Sequence, residues 1–390
     1  MKNSIWKEYK LNQITEPVKE AYSPNKSEKL YYIGLEHIEP ENLKLNSIGY
    51  SSEVTSNKFR FIKNDILFGK LRPYFRKVVK PQFDGICSTD IWVFRAKEGI
   101  NQEFLFYFLA NWDFVDTANG SETGTRMPRA DWDFLKDTSW FIPEKTEQIQ
   151  IAEILISFDD KIDLLHRQNK TLEALAETLF RQWFIEDADE SWEEKKLGDL
   201  LTITSSKRIF YSEYVKSGIP FYRSKEIIEL RKTGSTNSEL YISNERFREI
   251  KDKFGSPKEG DILMTSVGTL GVAYRVRKSD EFYFKDGNLT WFKDFKGLPS
   301  SIVYLWLISN IGQEALESIK IGSTQEALTI EGLKSISFKI PPKECIEQYE
   351  YEFQIIINKI EFNHNQIRTL TQLRDTLLPK LMSGEVRVEG

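Results

Sequence analysis

The chain has 390 residues, 40% of them hydrophobic and 29% charged, with a formal net charge of −5. That balance describes a folded globular chain of two or three domains and excludes a disordered or fibrous one. Two cysteines and three histidines exclude a disulfide framework and leave no zinc cluster.

Met1 to Trp6 contain no apolar signal core, and no apolar run nears the ~18 residues of a membrane span. The expectation is a non-exported protein of the cytoplasm with no membrane partner. The acidity is local. Residues 141–190 carry 5 cations against 12 acids, while the long stretches on either side are close to neutral or slightly basic. Those long stretches are free to bind nucleic acid.

Residues 1–144 read as a first α/β or α+β domain, with β-rich runs at 65–68 and 91–94 and a helical stretch at 102–111. From Lys58 to Lys80 there are eight cations and one acid, Asp65, with Phe59, Phe61, Phe68, Tyr74 and Phe75 threaded among them. Lys70, Arg72, Arg76 and Lys77 are therefore candidate DNA contacts beside Tyr74, since such cations neutralise phosphates and arginine reads guanine in the major groove. The glycine-rich stretch 120–129 adds Arg126 and Arg129.

Residues 145–186 read as one long helix. Apolar residues fall at Ile151, Leu155, Phe158, Ile162, Leu165, Leu172 and Leu179, in alternating steps of four and three, with Asn169 standing on the stripe. Such a heptad stripe predicts a coiled-coil seam, on which one polar residue fixes register. At 1.5 Å per residue, a helix over 146–184 is roughly 58 Å long, long enough to act as a spacer.

Residues 187–342 repeat the mixed pattern, with β-rich runs at 261–264 and 289–292 and a helical stretch at 300–311. Residues 343–390 repeat the helix, with Phe353, Ile356, Ile360, Asn363, Ile367, Leu370, Leu377 and Leu381 on its stripe. Ile162, His166, Gln168 and Leu179 recur at Ile360, His364, Gln366 and Leu377, all at an offset of 198. Ile142-Pro143 with Glu147-Gln148 is echoed by Ile340-Pro341 with Glu347-Gln348. The chain is a tandem duplication. The two helices are expected to pack antiparallel, with pseudo-twofold symmetry.

The second copy changes its loops. Where the first has Gly69 to Tyr74, it has Thr265 to Gly271, so Ser266 and Thr269 become the candidate contacts. Opposite the Gly124 loop stand Ser323, Thr324 and Gln325. Hydroxyls and glutamine can contact phosphate or a base edge. Lys207, Arg208 and Arg223 are weaker candidates. No phosphate-cradling glycine loop, no dinucleotide fingerprint and no clustered metal-binding carboxylates occur. The expectation is a non-enzyme with no catalytic residue and no metal.

These pieces together resemble the specificity (S) subunits of type I restriction–modification systems, over the whole length. The carriers are Asp65-Ile66-Leu67 running into Gly69-Lys70-Leu71-Arg72-Pro73-Tyr74, Gly124-Thr125-Arg126-Met127-Pro128-Arg129, and Gly322-Ser323-Thr324-Gln325. The terminal Leu377-Leu378-Pro379-Lys380-Leu381-Met382-Ser383-Gly384-Glu385-Val386 is the most characteristic. The resemblance implies two target-recognition domains, each reading half of a split asymmetric DNA site in double-stranded DNA. It also implies that the helices form a ruler and a dock for two methyltransferase (M) subunits, with restriction (R) subunits joining them. No cofactor is then expected on this chain, while S-adenosylmethionine, ATP and magnesium sit on the partners. Two rivals share the pattern: a specificity subunit whose partner fuses methylase and nuclease, and a duplicated coiled-coil adaptor that binds no nucleic acid.

Overall fold

A computed structural model of the chain describes residues 6–25, 28–120, 128–234, 236, 238–322 and 325–388. They form two compact units, one of Met1–Lys161 with Leu370–Gly390 and one of Ile162–Thr369. The division passes through both long helices, so each unit holds one mixed domain and a segment of each helix.

In the first unit, strand Lys7–Lys10 pairs antiparallel with Ser139–Ile142, Lys7 opposite Ile142, which closes the mixed domain just before the long helix begins. Ile66–Gly69 is buried along its whole length, as expected of a short apolar run covered on both faces. It lies in an antiparallel sheet ordered Thr15–Val18, Ile91–Ala96, Ile66–Gly69 and Val78–Val79. A second sheet of five strands includes a parallel pair, Tyr31–Ile33 beside Gly85–Cys87. Helix Gln102–Ala110 is capped by Asn101, whose Oδ1 accepts the Phe104 N–H at 2.9 Å. Phe104 to Ala110 are all buried, the mark of a helix inside a core rather than on a surface.

The second unit repeats this plan. Glu193–Lys196 pairs with Ser337–Ile340, and the central sheet runs Thr202–Thr204, Leu289–Lys293, Ile262–Thr265, Ala273–Arg275. It also has two helices that the sequence reading did not single out, Ser224–Thr233 and Asn244–Phe254. Their ends follow capping rules: Ser243 accepts the Arg246 N–H, and Gly234 closes the first helix in the left-handed region at φ 78°.

The central helix spans Lys145–Arg181 and ends in a wide π turn over Gln182–Glu186. The C-terminal helix spans Lys343–Ser383 and stops at Gly384, φ 71°. Within each unit the two helical segments run antiparallel. In the first, Glu147 meets Arg387 at 2.5 Å and Asp159 meets Arg374 at 2.7 Å. In the second, the Asn363 amide donates to Asn169 Oδ1 at 2.8 Å. Farther along, the Trp183 and Tyr349 rings stack at 4.3 Å with 9° between their planes.

The seam is close to the one expected. Ile151, Leu155, Ile162, Leu165, Asn169, Phe353, Ile356, Ile360, Asn363, Ile367 and Leu381 are buried. Phe158, Leu172, Leu179, Leu370 and Leu377 are half-buried. Phe180, Phe184, Ile357, Leu378 and Met382 are buried too, because each segment also packs on its own mixed domain and needs a wider apolar face. One expected echo is not structural. Glu147 and Gln148 are buried, Gln148 accepting the Asn101 N–H at 2.8 Å. Glu347 and Gln348 face solvent, and Ile346 is the buried residue there.

His364 is buried in the second unit, where Arg277 Nη2 donates to its Nδ1 at 3.2 Å while Arg277 Nη1 donates to the Gly234 carbonyl at 2.7 Å. Burial, reinforced by Arg277 and Arg231, pushes the imidazole down to about 3, so the folded protein holds it neutral. Above an unfolded pKa of ~6.5 neither state binds this proton; below it only the unfolded chain does. Stability therefore falls as pH drops from ~6.5 toward about 3. The loss from this group is about 2 kcal/mol by pH 5. Denaturant unfolding at pH 7 and pH 5 checks this, with the wild-type loss exceeding that of His364→Asn by this amount.

Candidate nucleic-acid interface

Two loop pairs, one per unit, occupy matching places. In the first unit the chain leaves strand Ile66–Gly69 through Lys70, Leu71 and Arg72. The Arg72 N–H donates to the Pro128 carbonyl at 2.8 Å, and the Ala130 N–H donates to the Lys70 carbonyl at 2.9 Å. Leu71 and Arg129 form the bridge between them. Two sequence motifs nearly sixty residues apart are thus one structure. Arg72 holds φ at 52°, a left-handed conformation that costs a non-glycine residue about 1–3 kcal/mol and recurs at functional loops.

A third strip completes the patch, just before strand Ile91–Ala96. The Lys70 N–H donates to the Asp90 carbonyl at 2.9 Å, and Arg129 Nε pairs with Asp90 Oδ1 at 3.2 Å. Arg72, Tyr74, Phe75 and Arg129 are exposed, the two rings lying 4.6 Å apart. Lys70 is half-buried, and its ammonium is lowered chiefly by burial. The patch offers three cations and two exposed rings to a polyanion.

The second unit builds the same frame with different side chains. Val267 and Ile321 both bridge to Ala327, and the Leu328 N–H donates to the Ser266 carbonyl at 3.0 Å. The Ser266 N–H donates to the Asn288 carbonyl at 2.9 Å, so residues 286–288 fill the place of 88–90. Gly268 and Gly271, at φ 81° and 75°, let the loop turn tightly. Thr269 is exposed on it, and Gln325 is exposed on the segment bridged to it.

Several expected contacts sit elsewhere. Arg76 is only 2% exposed: its Nε donates to the Ala110 carbonyl at 2.6 Å, and its guanidinium lies over the Trp112 ring and 3.8 Å from Asp375. It is a core residue, not a surface cation. Lys77 is half-buried, with Nζ donating to the Leu35 carbonyl at 2.5 Å. Ser266 is buried, its hydroxyl 2.5 Å from that of Thr290, so only its backbone shapes the loop. Arg223 is held by Glu226 at 2.6 Å and Glu239 at 3.1 Å, and Glu226 is itself buried. That spends its charge inside the protein. Lys207 is exposed above the Phe254 ring at 4.7 Å, and exposed Arg208 pairs with Asp286 at 3.1 Å. Arg126, Ser323 and Thr324 lie outside the described residues.

The strips 88–90 and 286–288 were missed by sequence reasoning, although a signal existed. Each is a polar turn just ahead of a buried strand, at matching places in the two copies. Among the described residues, no group of three or more His, Cys, Asp or Glu is arranged to hold a metal ion. No helix among them is long and apolar enough to cross a membrane.

Residues 3–174 and 189–372 each match the family model of the type I restriction modification DNA specificity domain. The chain belongs to this family. The two matched stretches reproduce the duplication, and the gap between them falls where the central helix gives way to the second copy. Among relatives, the chain is 29% identical over 315 residues to the type I restriction enzyme MjaIX specificity subunit of Methanocaldococcus jannaschii, covering 75% of this chain and 71% of that one. It is 22% identical to the type I restriction enzyme HindI specificity subunit of Haemophilus influenzae, covering 98% of this chain and all of that one. A crystal structure of a type I restriction–modification S subunit from M. genitalium shares the fold, with TM-score 0.56 at 16% identity over 97% of this chain and 96% of that one. The protein is a specificity subunit with two target-recognition domains, a DNA-recognition component that is neither the methylase nor the nuclease.

Proposed function

We propose that the loops of the first unit, 70–72 with 128–130 and 88–90, read one half of a split DNA target, and that loops 266–271, 286–288 and 325–328 of the second read the other. The observation that carries this is the repeated main-chain frame: in both units the loop after the central strand is hydrogen-bonded to a distant loop and to a polar turn. A rigid frame with exchanged side chains supports reading two unlike half-sequences. Arg72 and Arg129 are suited to guanine O6/N7 or phosphate, Gln325 to adenine, and Thr269 to phosphate or either base class. Exposed Tyr74 and Phe75 add apolar contact.

The helical seam carries the rest of the role. In the second unit it exposes Leu164, Leu175, Tyr351, Ile355 and Phe362, beside a groove of about 360 Å³ lined by Leu164, Arg167, Gln168, Thr171, Leu172 and Lys359. Apolar exposure of this kind marks protein-binding surface, which supports docking of two methyltransferase subunits, with restriction subunits completing the assembly in the cytoplasm. S-adenosylmethionine, ATP and magnesium then belong to those partners.

Arg72→Ala tests the reading of the first half-site. Binding to the intact target weakens by roughly 1–3 kcal/mol and discrimination relaxes at one position of that half-site. Equal weakening on every sequence makes Arg72 a phosphate contact, and unchanged binding removes these loops from the interface. A panel of single-base target variants, titrated at fixed salt, separates the three.

A further inference from the structure

The second mixed domain displays an aromatic tip that the recognition loops do not account for. Tyr211 is 87% exposed and Phe210 60% exposed, on a short 3-10 turn over Tyr211–Glu213. Exposed Phe254 stands next to the same segment, under the Lys207 ammonium. Rings this exposed contribute little to the fold, and several together on one surface mark a binding region.

The turn is also held rigid. The Phe210 N–H donates to Glu213 Oε2 at 2.7 Å, and Glu213 Oε1 pairs with Arg246 Nε of helix Asn244–Phe254, again at 2.7 Å. The rings are therefore presented by a fixed turn, which spares them the ordering cost that a mobile loop pays on binding.

The tip is continuous with the loops described above. The Lys207 N–H donates to the Tyr283 hydroxyl at 2.8 Å, Arg208 reaches Asp286 at 3.1 Å, and the Gly287 N–H donates to Ser205 Oγ at 3.3 Å. Asn288, next in sequence, accepts the Ser266 N–H. Backbone and side-chain bonds thus run without a break from the tip to the candidate base-reading loop. Two exposed cations, Lys207 and Arg208, flank the rings.

We propose that Phe210 and Tyr211 form an additional DNA contact of the second recognition domain, packing their rings against the duplex beside its half-site while Lys207 and Arg208 hold neighbouring phosphates. The inference rests on the DNA-reading role of loops 266–271, 286–288 and 325–328 and extends it to a surface outside them. Ring contact against the deoxyribose carbons adds affinity with little dependence on base identity, because the sugar–phosphate backbone carries no sequence information. Arg208 exchanges its Asp286 partner for a phosphate. The tip thereby strengthens binding without changing which sequence is read.

The test uses the full chain assembled with the methyltransferase subunits of its host, and a duplex carrying the motif methylated in that host. The double variant Phe210→Ala, Tyr211→Ala is expected to bind roughly tenfold more weakly. Its motif preference and its slope of log affinity against log salt stay those of the wild type. Lys207→Ala instead makes that slope shallower, and Tyr211→Phe binds as the wild type does. Unchanged affinity of the double variant overturns the proposal. So does loss of methyltransferase assembly with unchanged DNA affinity in the complex that does form, which moves the tip to a protein interface. If Thr269→Ala and Gln325→Ala alter binding while the double variant does not, the loop reading stands and the tip falls. If neither the loop variants nor the double variant alter binding, the loop reading falls with it.

Discussion

Replacing Arg374 by alanine lowers the stability of the first unit by about 1–3 kcal/mol, the cost of leaving a partly buried acceptor without its donor. Arg374 is, with Asn363, a polar residue on a mainly apolar stripe, and its side chain is 3% exposed. It pairs with Asp159 of the central helix at 2.7 Å and with Asp375 at 3.0 Å. Asp159 also accepts the Tyr107 hydroxyl at 2.7 Å from the mixed domain, and Asp375 faces buried Arg76 at 3.8 Å. Burial and the neighbouring Asp159 push the Tyr107 phenol well above its ordinary range, so it remains a donor at every working pH. Alanine takes the cation from half-buried Asp159, which still accepts the Tyr107 hydroxyl, and leaves Asp375 facing Arg76 across a long gap. Denaturant unfolding of the full chain reads the loss, and Arg374→Lys recovers part of it by restoring the charge without the planar fork. Arg76→Ala belongs with it: it lowers stability and leaves base discrimination alone, because its guanidinium is spent on the Ala110 carbonyl, Trp112 and Asp375. An unchanged unfolding midpoint for Arg374→Ala contradicts the account of the seam.

A matched insertion of one heptad after Leu165 and another after Gln366 shifts the spacing between half-sites while both half-sequences remain readable. Seven residues add about 10 Å of helix, so the spacing grows by up to about three base pairs of 3.4 Å rise. The insertions must be matched because the segments are antiparallel and in register, with Asn169 bonded to Asn363. An insertion in the central helix alone sets a buried amide against an apolar neighbour and is expected to cost stability, since an unpaired buried amide costs about 1–3 kcal/mol. Methylation mapping in cells carrying the matched variant reads the new spacing, and an unchanged spacing removes the ruler role.

How much was legible in the sequence follows from the physics of each signal. The heptad stripe repeats over five heptads, so the two long helices emerge with their starts at Lys145 and Lys343, and Asn169 and Asn363 meet as a polar pair on the seam. The strands Ile66–Gly69 and Ile262–Thr265 are short apolar runs ending in glycine or small residues, and they too stand where expected. Charge counting was less informative about contacts. Arg76, Lys77 and Arg223 lie in or beside cation-rich stretches, but a run of cations does not say which of them turn inward. Arg76 holds φ at 48° just after the turn Pro73–Phe75, and that backbone geometry directs its side chain to the core. Ser266 shows the converse: a small polar residue in a glycine-rich loop serves through its backbone, with its hydroxyl satisfied inside. Residues 88–90 and 286–288 carry no charge cluster, only the weak signal of a polar turn at matching places in the two copies, and it is the fold that brings them to the loops they complete.

The most direct test of the central claim is single-molecule methylome sequencing of a host that carries this chain, compared with the same host lacking it. Loss of one split adenine-methylation motif on deletion, restored by the chain and altered in one half only by Arg72→Ala, is the predicted result. A methylome that does not change on deletion, in cells that express the methyltransferase partner, contradicts it.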